Sequence, residues 1–269
     1  MSLTEKHLQL KNHIKALESV LVAFSGGVDS TLVLAVARET LAGRVLAVTA
    51  RSESLPEREL AEASRLAREI GVAHEILDTE EMASLDYRRN PVNRCYHCKS
   101  ELYGKLEQMA QKRCLRHVIN GINVDDLGDH RPGLEAAREY GVKSPLVEAG
   151  LNKEDVRGLS RHLGLSVWSK PAMACLSSRV PYGEPITPEK LAAIERAEDI
   201  LLSLGFSDLR VRHHGEVARI ELQKEDIPRF FSSPAADDAR RGIQALGFKF
   251  ITVDIEGFRS GRMNEGITR

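Results

Sequence analysis

The chain has 269 residues, of which 42% are hydrophobic and 29% are charged, and its formal net charge is −1. This length accommodates one large domain or two smaller ones, and the composition is that of an ordinary globular protein. The charge balance excludes the global basic field that obligate RNA-binding proteins carry. Nucleic acid is therefore not expected as a partner, although a local basic patch would suffice to bind tRNA.

The sequence also bears on compartment and redox state. Residues 1–17 are charged and lack the continuous apolar core of a signal peptide, and no stretch approaches the length of a membrane span. We therefore expect a cytoplasmic protein without a membrane partner, in which thiols stay reduced. Its four cysteines are then expected to act as ligands or reactive groups rather than as disulfides.

Short apolar runs alternate with helical patterns through the first two-thirds of the chain. The predicted strands are Val20–Phe24, Val45–Thr49, His74–Leu77 and His117–Asn120. The predicted helices are Thr31–Thr40, Pro56–Ile70, Ser100–Lys112, Pro132–Tyr140 and Lys153–Leu163. This alternation predicts an α/β fold, a doubly wound parallel sheet whose ligands bind at the carboxyl ends of its strands.

The pattern changes after Ser177, where residues 179–188 carry three prolines and one glycine and form a connector. Thr187 is predicted to cap a helix that begins at Pro188 and ends near Leu204. Two strands around a His-Gly-Glu turn, a further helix and a last strand complete a smaller α+β domain; they are Leu209–His213, Val217–Leu222, Ala235–Leu246 and Lys249–Ile255. We place the domains at 1–177 and 178–269, and expect the second to bind substrate or mediate oligomerisation.

The most informative motif joins the first strand to the next helix. Its sequence is Ser25-Gly26-Gly27-Val28-Asp29-Ser30. A strand, a glycine turn and a helix N-terminus together form an anion site, because unpaired backbone N–H groups and the helix dipole converge there. The glycines allow close approach of a phosphate, the serines supply hydroxyl groups, and Asp29 suits an accompanying Mg²⁺. No lysine follows Ser30, so the motif is not a Walker A loop.

The cysteines form a second constellation. Cys95 and Cys98 are a Cys-x-x-Cys pair that suits a metal centre, a zinc clip or a redox dithiol, with His97 between them. Cys175 lies beside the predicted connector. Three thiolates around an iron–sulfur cubane would leave one iron without a protein ligand. Sequence spacing alone does not show that the three cysteines converge. Cys114 has no motif around it and is expected to be a half-buried hydrophobe.

The glycine loop resembles the pyrophosphate-binding loop of the PP-loop ATP pyrophosphatases, which cleave ATP between its α and β phosphates and adenylate a substrate oxygen. Nearly the whole chain resembles one PP-loop family, the LarE sulfurtransferases of nickel-pincer nucleotide cofactor biosynthesis. The segments that carry this resemblance are Gly121–Gly133, Lys143–Leu146, Arg179–Thr187 and Arg210–Glu221.

The resemblance implies that ATP adenylates a carboxylate of pyridinium-3,5-biscarboxylic acid mononucleotide and that sulfur displaces AMP to leave a thiocarboxylate. In one version of the family, a single cysteine gives up its sulfur, and Cys175 matches that position. In the other version, three cysteines bind a [4Fe-4S] cluster, and Cys95 and Cys98 match the two additional cysteines. We favour the cluster version; the source of sulfur that recharges it is unknown. The resemblance also implies a homo-oligomer.

Roles are assigned to other residues from their types and from the resemblance. Thr49, Ala50 and Arg51 end the second strand, where the superfamily holds adenine and ribose, although Arg51 also suits a plain surface charge. Gly121 and the polar residues after the fourth strand are candidates for ATP or substrate contacts, chiefly Asp126 and Arg131. The alternative is a polar loop that caps the next helix. The remaining polar residues of that loop are Asn123, Asp125 and Asp129.

Candidates for the substrate's phosphate lie near the connector and on the predicted hairpin; they are Ser178, Arg179, Arg210 and Arg212. Arginine presents a planar fork of donors that matches phosphate oxygens, although these arginines also suit a solvated sheet edge. Lys99 and Lys170 neighbour the cysteines. Either lysine could neutralise charge that develops on the α-phosphate or lower a thiol pKa.

Three rival functions fit parts of the pattern. A tRNA thiolase would share the Cys-x-x-Cys chemistry but would bind tRNA with steep salt dependence. An amide-forming synthetase would leave three cysteines unexplained. A non-enzymatic nucleotide-binding module with a zinc clip would bind ATP without releasing pyrophosphate.

Overall fold

A computed structural model of the chain describes residues 1–128, 132–171, 173–259 and 262. The chain divides into two compact units, one of Met1–Glu81 and Asn93–Met173 and the other of Met82–Val92 and Ala174–Arg269. The predicted domains 1–177 and 178–269 stay predictions, because compactness does not test independent folding. Across the described ranges, no helix combines the length and apolar character that crossing a bilayer requires.

The first unit is built on a parallel sheet of four strands, which confirms the predicted α/β class. The strands are β1 (Val20–Ala23), β2 (Val45–Arg51), β3 (Ala73–Asp78) and β4 (His117–Ile119). Their order across the sheet is β3-β2-β1-β4. Because β2 lies on one side of β1 and β4 on the other, the strand order reverses between β1 and β4. The carboxyl ends of these two strands therefore border the crevice where doubly wound sheets bind ligands.

Helices cover both faces of this sheet. Up to residue 173 the helices are α1 (Leu3–Ala16), α2 (Val28–Leu41), α3 (Glu57–Ile70), α4 (Leu85–Arg88, in the second unit), α5 (Arg94–Lys112), α6 (Pro132–Glu139), α7 (Pro145–Glu148) and α8 (Lys153–His162). Val20 and Val22 of β1 belong to the core formed with α1, α2, α3 and α8, whereas Leu21 belongs to the core formed with α5 and α6. This alternation is the two-residue period of a strand that is buried on both faces.

Several features of the first unit differ from the sequence-based prediction, and one of them is the short helix α7, which was not predicted. Helix α1 was not predicted, and α2 begins at Val28 rather than at Thr31, so half of the glycine loop forms the first helical turn. Helix α5 begins at Arg94, six residues before the predicted start at Ser100. The early turns of α5 carry polar and cysteine residues, and the buried apolar side chains begin only at Leu102. Periodicity therefore located the buried part of the helix and missed its start.

The expectation that Cys114 is half-buried is wrong, because the side chain is exposed. The residue follows the end of α5 and has a φ of 54°, in the left-handed region. This conformation ends the helix, and Cys114 is no longer on its buried face.

The second unit is a small α+β assembly, as predicted. After residue 174 it contains α9 (Pro188–Ser203), β5 (Arg210–His214), β6 (Val217–Glu221), α10 (Asp226–Phe231), α11 (Ala235–Gln244) and β7 (Phe250–Val253). Strands β5 and β6 form the predicted antiparallel hairpin, and β7 pairs with β6 in parallel. The Thr187 side chain accepts a hydrogen bond from the Lys190 backbone N–H, which confirms the predicted cap of α9.

Two histidines at the end of β5 predict a pH-dependent stability. His213 and His214 are partly buried, and burial lowers the pKa of both imidazoles below the usual 6.5. The unfolded chain therefore takes up these protons at a higher pH than the folded chain. The stability that the histidines contribute is complete above about pH 6.5 and is lost as the pH falls.

We expect the urea midpoint of unfolding to decrease from about pH 7.5 to about pH 5.5, and to decrease less in a His213→Gln/His214→Gln variant. Equal decreases in the two proteins would contradict the assignment to these side chains.

Candidate active site

The glycine loop lies between β1, which ends at Ala23, and α2, which begins at Val28. Its two serines are joined across the loop, with Ser25 Oγ and Ser30 Oγ 3.1 Å apart. The Ser30 hydroxyl also donates to the Gly27 carbonyl oxygen (3.2 Å) and accepts from the Ser25 backbone N–H (3.3 Å). These bonds fix the loop in the curved conformation that directs the first N–H groups of a helix toward an anion.

Two glycines of the site are required by space. Gly26 has a φ of 68°, and a Cβ added there would lie 3.1 Å from Ala63 of α3. Gly121, directly after the end of β4, lies against the first turn of α2. A Cβ added at Gly121 would lie 2.6 Å from the backbone nitrogen of Ser30 and 2.9 Å from its Cα. Only glycine therefore allows the end of β4 to meet the start of α2. A contact of Gly121 with ATP stays a prediction.

Asp29 is the charged centre of this loop. Its Oδ1 accepts from the Asn123 side-chain amide (3.0 Å), and its Oδ2 is 2.5 Å from the Lys153 ammonium. The Asp29 side chain retains 21% of its exposure. A partly exposed carboxylate suits Mg²⁺, which prefers oxygen ligands and keeps several waters. Sequence reasoning missed Lys153, because it lies 124 residues from Asp29 and belongs to no motif.

The polar loop after β4 is organised largely by its own hydrogen bonds. Asn123 Oδ1 accepts from the Asp125 N–H, and Asp126 Oδ2 accepts from the Asn123 N–H. Asp125 Oδ2 also accepts from the backbone N–H of Lys153, at the first turn of α8. These bonds fit the alternative of a polar loop that caps a helix, and an ATP contact by Asp126 stays a prediction. Asp129 and Arg131 lie outside the described residues.

Of the two predicted catalytic lysines, Lys170 lies at the loop. Its ammonium pairs with Glu59 of α3 (2.7 Å) and is 3.4 Å from the Gly26 carbonyl oxygen. Lys99 lies on α5 and packs beside Gly133, where an added Cβ would lie 3.0 Å from its Cγ. Catalytic roles for both lysines stay predictions.

The end of β2 was predicted to hold adenine and ribose. The Thr49 side chain is buried; its hydroxyl donates to the Phe24 carbonyl oxygen (2.8 Å) and lies 2.8 Å from Nε2 of His74. Ala50 is partly exposed. The Arg51 guanidinium forms two hydrogen bonds to Asp78 on β3, of 2.6 and 3.0 Å. Arg51 is therefore a surface ion pair in this structure, and a nucleotide contact by any of the three stays a prediction.

The three predicted cluster cysteines lie on two elements. Cys95 is exposed and Cys98 is partly exposed, both in the first two turns of α5. Their spacing of three residues places them on one helix face, where two thiolates suit a single metal centre. Cys175 is exposed in the second unit and directly precedes the 3₁₀ turn Leu176–Arg179. Within the described ranges, no three histidine, cysteine or acidic side chains are grouped to hold a metal.

Arg179 is the largest fully buried side chain of the protein's described part. It forms two hydrogen bonds with the Glu198 carboxylate, of 2.9 and 3.2 Å. Its Nη1 donates to the backbone carbonyls of Ala174 and Cys175 and to the Ser178 hydroxyl. Arg179 therefore fixes the backbone on both sides of the Cys175 thiol.

The two arginines of β5 are also buried. Arg212 makes two hydrogen bonds to Glu221 on β6, of 3.0 and 2.9 Å, and one to the Ser178 carbonyl oxygen (2.8 Å). The Arg210 guanidinium lies over the Phe258 ring, 4.7 Å from its centre. Burial, followed by the nearby charge of Arg179, lowers the pKa of Arg210 to about 10. The contact of these arginines and of Ser178 with a substrate phosphate stays a prediction.

A glycine loop at the switch point of a doubly wound sheet, with a carboxylate in place of a Walker lysine, defines a PP-loop nucleotide-binding enzyme. Residues 8–124 match the asparagine synthase family. An uncharacterized protein of Synechocystis is 46% identical, with 99% of this chain and 100% of the relative aligned. The pyridinium-3,5-bisthiocarboxylic acid mononucleotide synthase of Lactiplantibacillus plantarum is 40% identical over 100% of this chain and 97% of the relative.

An uncharacterized protein of Methanocaldococcus jannaschii is 26% identical over 97% of this chain and 100% of its own length. On the full-length similarity to the Lactiplantibacillus enzyme, the chain belongs to the LarE family of ATP-dependent sulfurtransferases.

Because Gly121 lies so close to Ser30, we expect one added methyl group at this position to weaken ATP binding strongly. In Gly121→Ala, the new Cβ would overlap the backbone of Ser30, so the first turn of α2 must move. Gly128→Ala is the matched control, because an added Cβ there meets no atom within 4 Å. We expect Gly121→Ala to weaken ATP binding in calorimetry by at least about tenfold, and Gly128→Ala to bind like the wild type. Equal affinities for the two variants would contradict the predicted packing.

The Asp29–Lys153 pair predicts that the Lys153 ammonium and a metal ion compete for the Asp29 carboxylate. Lys153→Met removes the ammonium from Asp29, so we expect affinity for Mn²⁺ alone, followed by electron paramagnetic resonance, to rise up to about fivefold. The affinity for ATP should fall in the same variant, because a cation beside the phosphates is lost. Lys170→Met is the control, because Lys170 pairs with Glu59 and leaves Asp29 unchanged. Unchanged Mn²⁺ affinity in Lys153→Met would show that the metal does not use Asp29.

Proposed function

We propose that this enzyme converts the carboxylates of pyridinium-3,5-biscarboxylic acid mononucleotide into thiocarboxylates, at the expense of ATP, in nickel-pincer nucleotide cofactor biosynthesis. The observation that carries the proposal is the pairing of a PP-loop site centred on Asp29 with full-length similarity to a synthase of the bisthiocarboxylic product. The competing amide-forming function leaves the three cysteines without a purpose.

The first step is adenylation in the first unit. A substrate carboxylate oxygen attacks the α-phosphorus of ATP, and the bond to the β-phosphate breaks, which releases pyrophosphate and leaves an acyl adenylate. The carboxylate already carries its negative charge, so the step needs no strong general base. The N–H groups at the start of α2, together with Lys153 and Lys170, would hold the phosphate oxygens. Asp29 would hold Mg²⁺, which shields the charge of the leaving pyrophosphate.

Sulfur transfer follows in the second step. A sulfur nucleophile attacks the acyl carbon, the bond to the AMP oxygen breaks, and AMP leaves with the electron pair. We assign the sulfur to the cysteine constellation, with Cys95, Cys98 and Cys175 as ligands of a [4Fe-4S] cluster. Their exposed or partly exposed thiols fit such a ligand set. A cluster held by these three cysteines would supply one iron without a protein ligand, where an exchangeable sulfide would bind.

Stoichiometry favours the cluster over sacrifice of Cys175. The relative's name specifies two thiocarboxylates in its product. A chain that gives up one cysteine sulfur delivers one of these atoms and is then spent, so two chains would be consumed for each product. A rechargeable sulfide removes this limit, and its ultimate donor would act before this enzyme.

We assign the substrate's phosphate to the second unit, where Arg179 donates to the Cys175 carbonyl oxygen and Arg212 donates to the Ser178 carbonyl oxygen. The Arg210 guanidinium donates to the Leu209 carbonyl oxygen and lies over the Phe258 ring. We also propose a cytoplasmic homo-oligomer.

Anaerobic protein reconstituted with iron and sulfide provides the test. With ATP, Mg²⁺ and the biscarboxylic mononucleotide, we expect about four irons per chain, pyrophosphate release that requires the mononucleotide, and more than one thiocarboxylate per chain by mass spectrometry. Cys95→Ala should lose the iron and the repeated turnover. Cys114→Ala is the matched control, because Cys114 is also exposed but belongs to no motif, and it should behave like the wild type.

Two other outcomes have distinct meanings. An iron-free protein that yields at most one thiocarboxylate per chain, with Cys175 converted to dehydroalanine, would establish the sacrificial route. Pyrophosphate release that does not respond to the mononucleotide would overturn the assignment of the substrate.

A further inference from the structure

The segment Met82–Val92 belongs to the second unit, although the chain on both sides of it belongs to the first. Within the segment, Tyr87 is buried, and its hydroxyl lies 2.6 Å from Oγ of Ser177. Ser177 is also fully buried and lies two residues after Cys175. A short, water-excluded hydrogen bond between two hydroxyl groups is directional, and it fixes the turn that follows the Cys175 thiol.

Asn90 holds the next part of the same connector. Its side-chain amide nitrogen lies 3.2, 2.7 and 3.1 Å from the carbonyl oxygens of Val180, Pro181 and Glu184. The backbone carbonyl oxygen of Asn90 accepts a hydrogen bond from the Gly183 N–H (2.9 Å). Asn90 is fully buried and has a φ of 54°, so the protein maintains an unfavourable backbone conformation at this position.

The residues around Cys175 are therefore immobilised from two directions, while the cysteine itself is exposed. Arg179 holds the carbonyls of Ala174 and Cys175, and the Met82–Val92 segment holds Ser177 and the connector beyond it. An exposed sulfur on a fixed backbone is the arrangement that a directed transfer requires, because reacting atoms must be held about 3–3.5 Å apart.

The same segment leads directly to the other two cysteines. Asn90 precedes Cys95 by five residues, and α5 begins at Arg94.

We infer that Tyr87 and Asn90 are positioning residues for sulfur delivery: their hydrogen bonds hold the backbone that follows Cys175 in one conformation. This inference rests on the proposed function and applies to either source of sulfur, because Cys175 takes part in both. If the segment loosens, adenylation in the first unit continues, but water competes with sulfur for the acyl adenylate. The sensitive quantity is therefore the number of thiocarboxylates formed per pyrophosphate released.

Tyr87→Phe and Ser177→Ala each remove one side of the same hydrogen bond. We expect each variant to lower the thiocarboxylate-to-pyrophosphate ratio about tenfold while the rate of pyrophosphate release stays at the wild-type value. The double variant should show no further decrease, since both changes delete one interaction. Thr187→Ala is the control for stability, because it removes the cap of α9 in the same unit without touching Tyr87, Ser177 or Asn90.

A wild-type ratio in Tyr87→Phe, or an equal loss in Thr187→Ala, would overturn the inference. Asn90→Gly provides a second variant in case Tyr87→Phe fails to fold, because glycine retains the positive φ and removes only the side-chain bonds. It is expected to lower the ratio as well, and a wild-type ratio would count equally against the inference. Failure of the proposed function is distinct: the wild-type enzyme itself would then form no thiocarboxylate.

Discussion

The contact between Gly121 and the backbone of Ser30 is the constraint on which the nucleotide site depends. It brings the end of β4 against the first turn of α2, where a single added methyl group would lie 2.6 Å from a backbone nitrogen. Because these two elements meet, Asn123 reaches Asp29, and α8 is bound through Asp125. The loop alone is a turn with two serines and two glycines; with β4 packed against it, Asn123 and Lys153 contact Asp29.

Charge in this site is supplied by parts of the chain that are distant in sequence. A Walker loop carries its lysine within the motif, whereas here Lys153 comes from α8 and Lys170 from beyond it. Both ammonium groups are neutralised by carboxylates of the protein, Asp29 and Glu59 respectively. With the proposed roles, in which Asp29 holds Mg²⁺ and the two lysines hold ATP, binding exchanges internal ion pairs for external ones, which limits the net gain in free energy.

Local patterns in the sequence predicted most of the fold. The four apolar strands, the Thr187 cap and the hairpin follow from residue types within a few positions, and each is present. Lys153, Glu198 and Tyr87 could not be predicted as partners of Asp29, Arg179 and Ser177, because each pair is made by tertiary packing. The start of α5 was missed for a different reason: the cysteine and polar residues of its first turns leave no hydrophobic period to detect.

The Met82–Val92 segment makes the second unit discontinuous along the chain. Such a unit cannot be gained, lost or exchanged by a single recombination event, because its parts are encoded on both sides of a stretch that belongs to the first unit. A fragment that stops at Met173 would retain Tyr87 and Asn90 with the residues they bind removed. The two units are therefore expected to be inherited together. A gene encoding only the nucleotide-binding unit would have to lose or replace the Met82–Val92 segment to encode a stably folded protein.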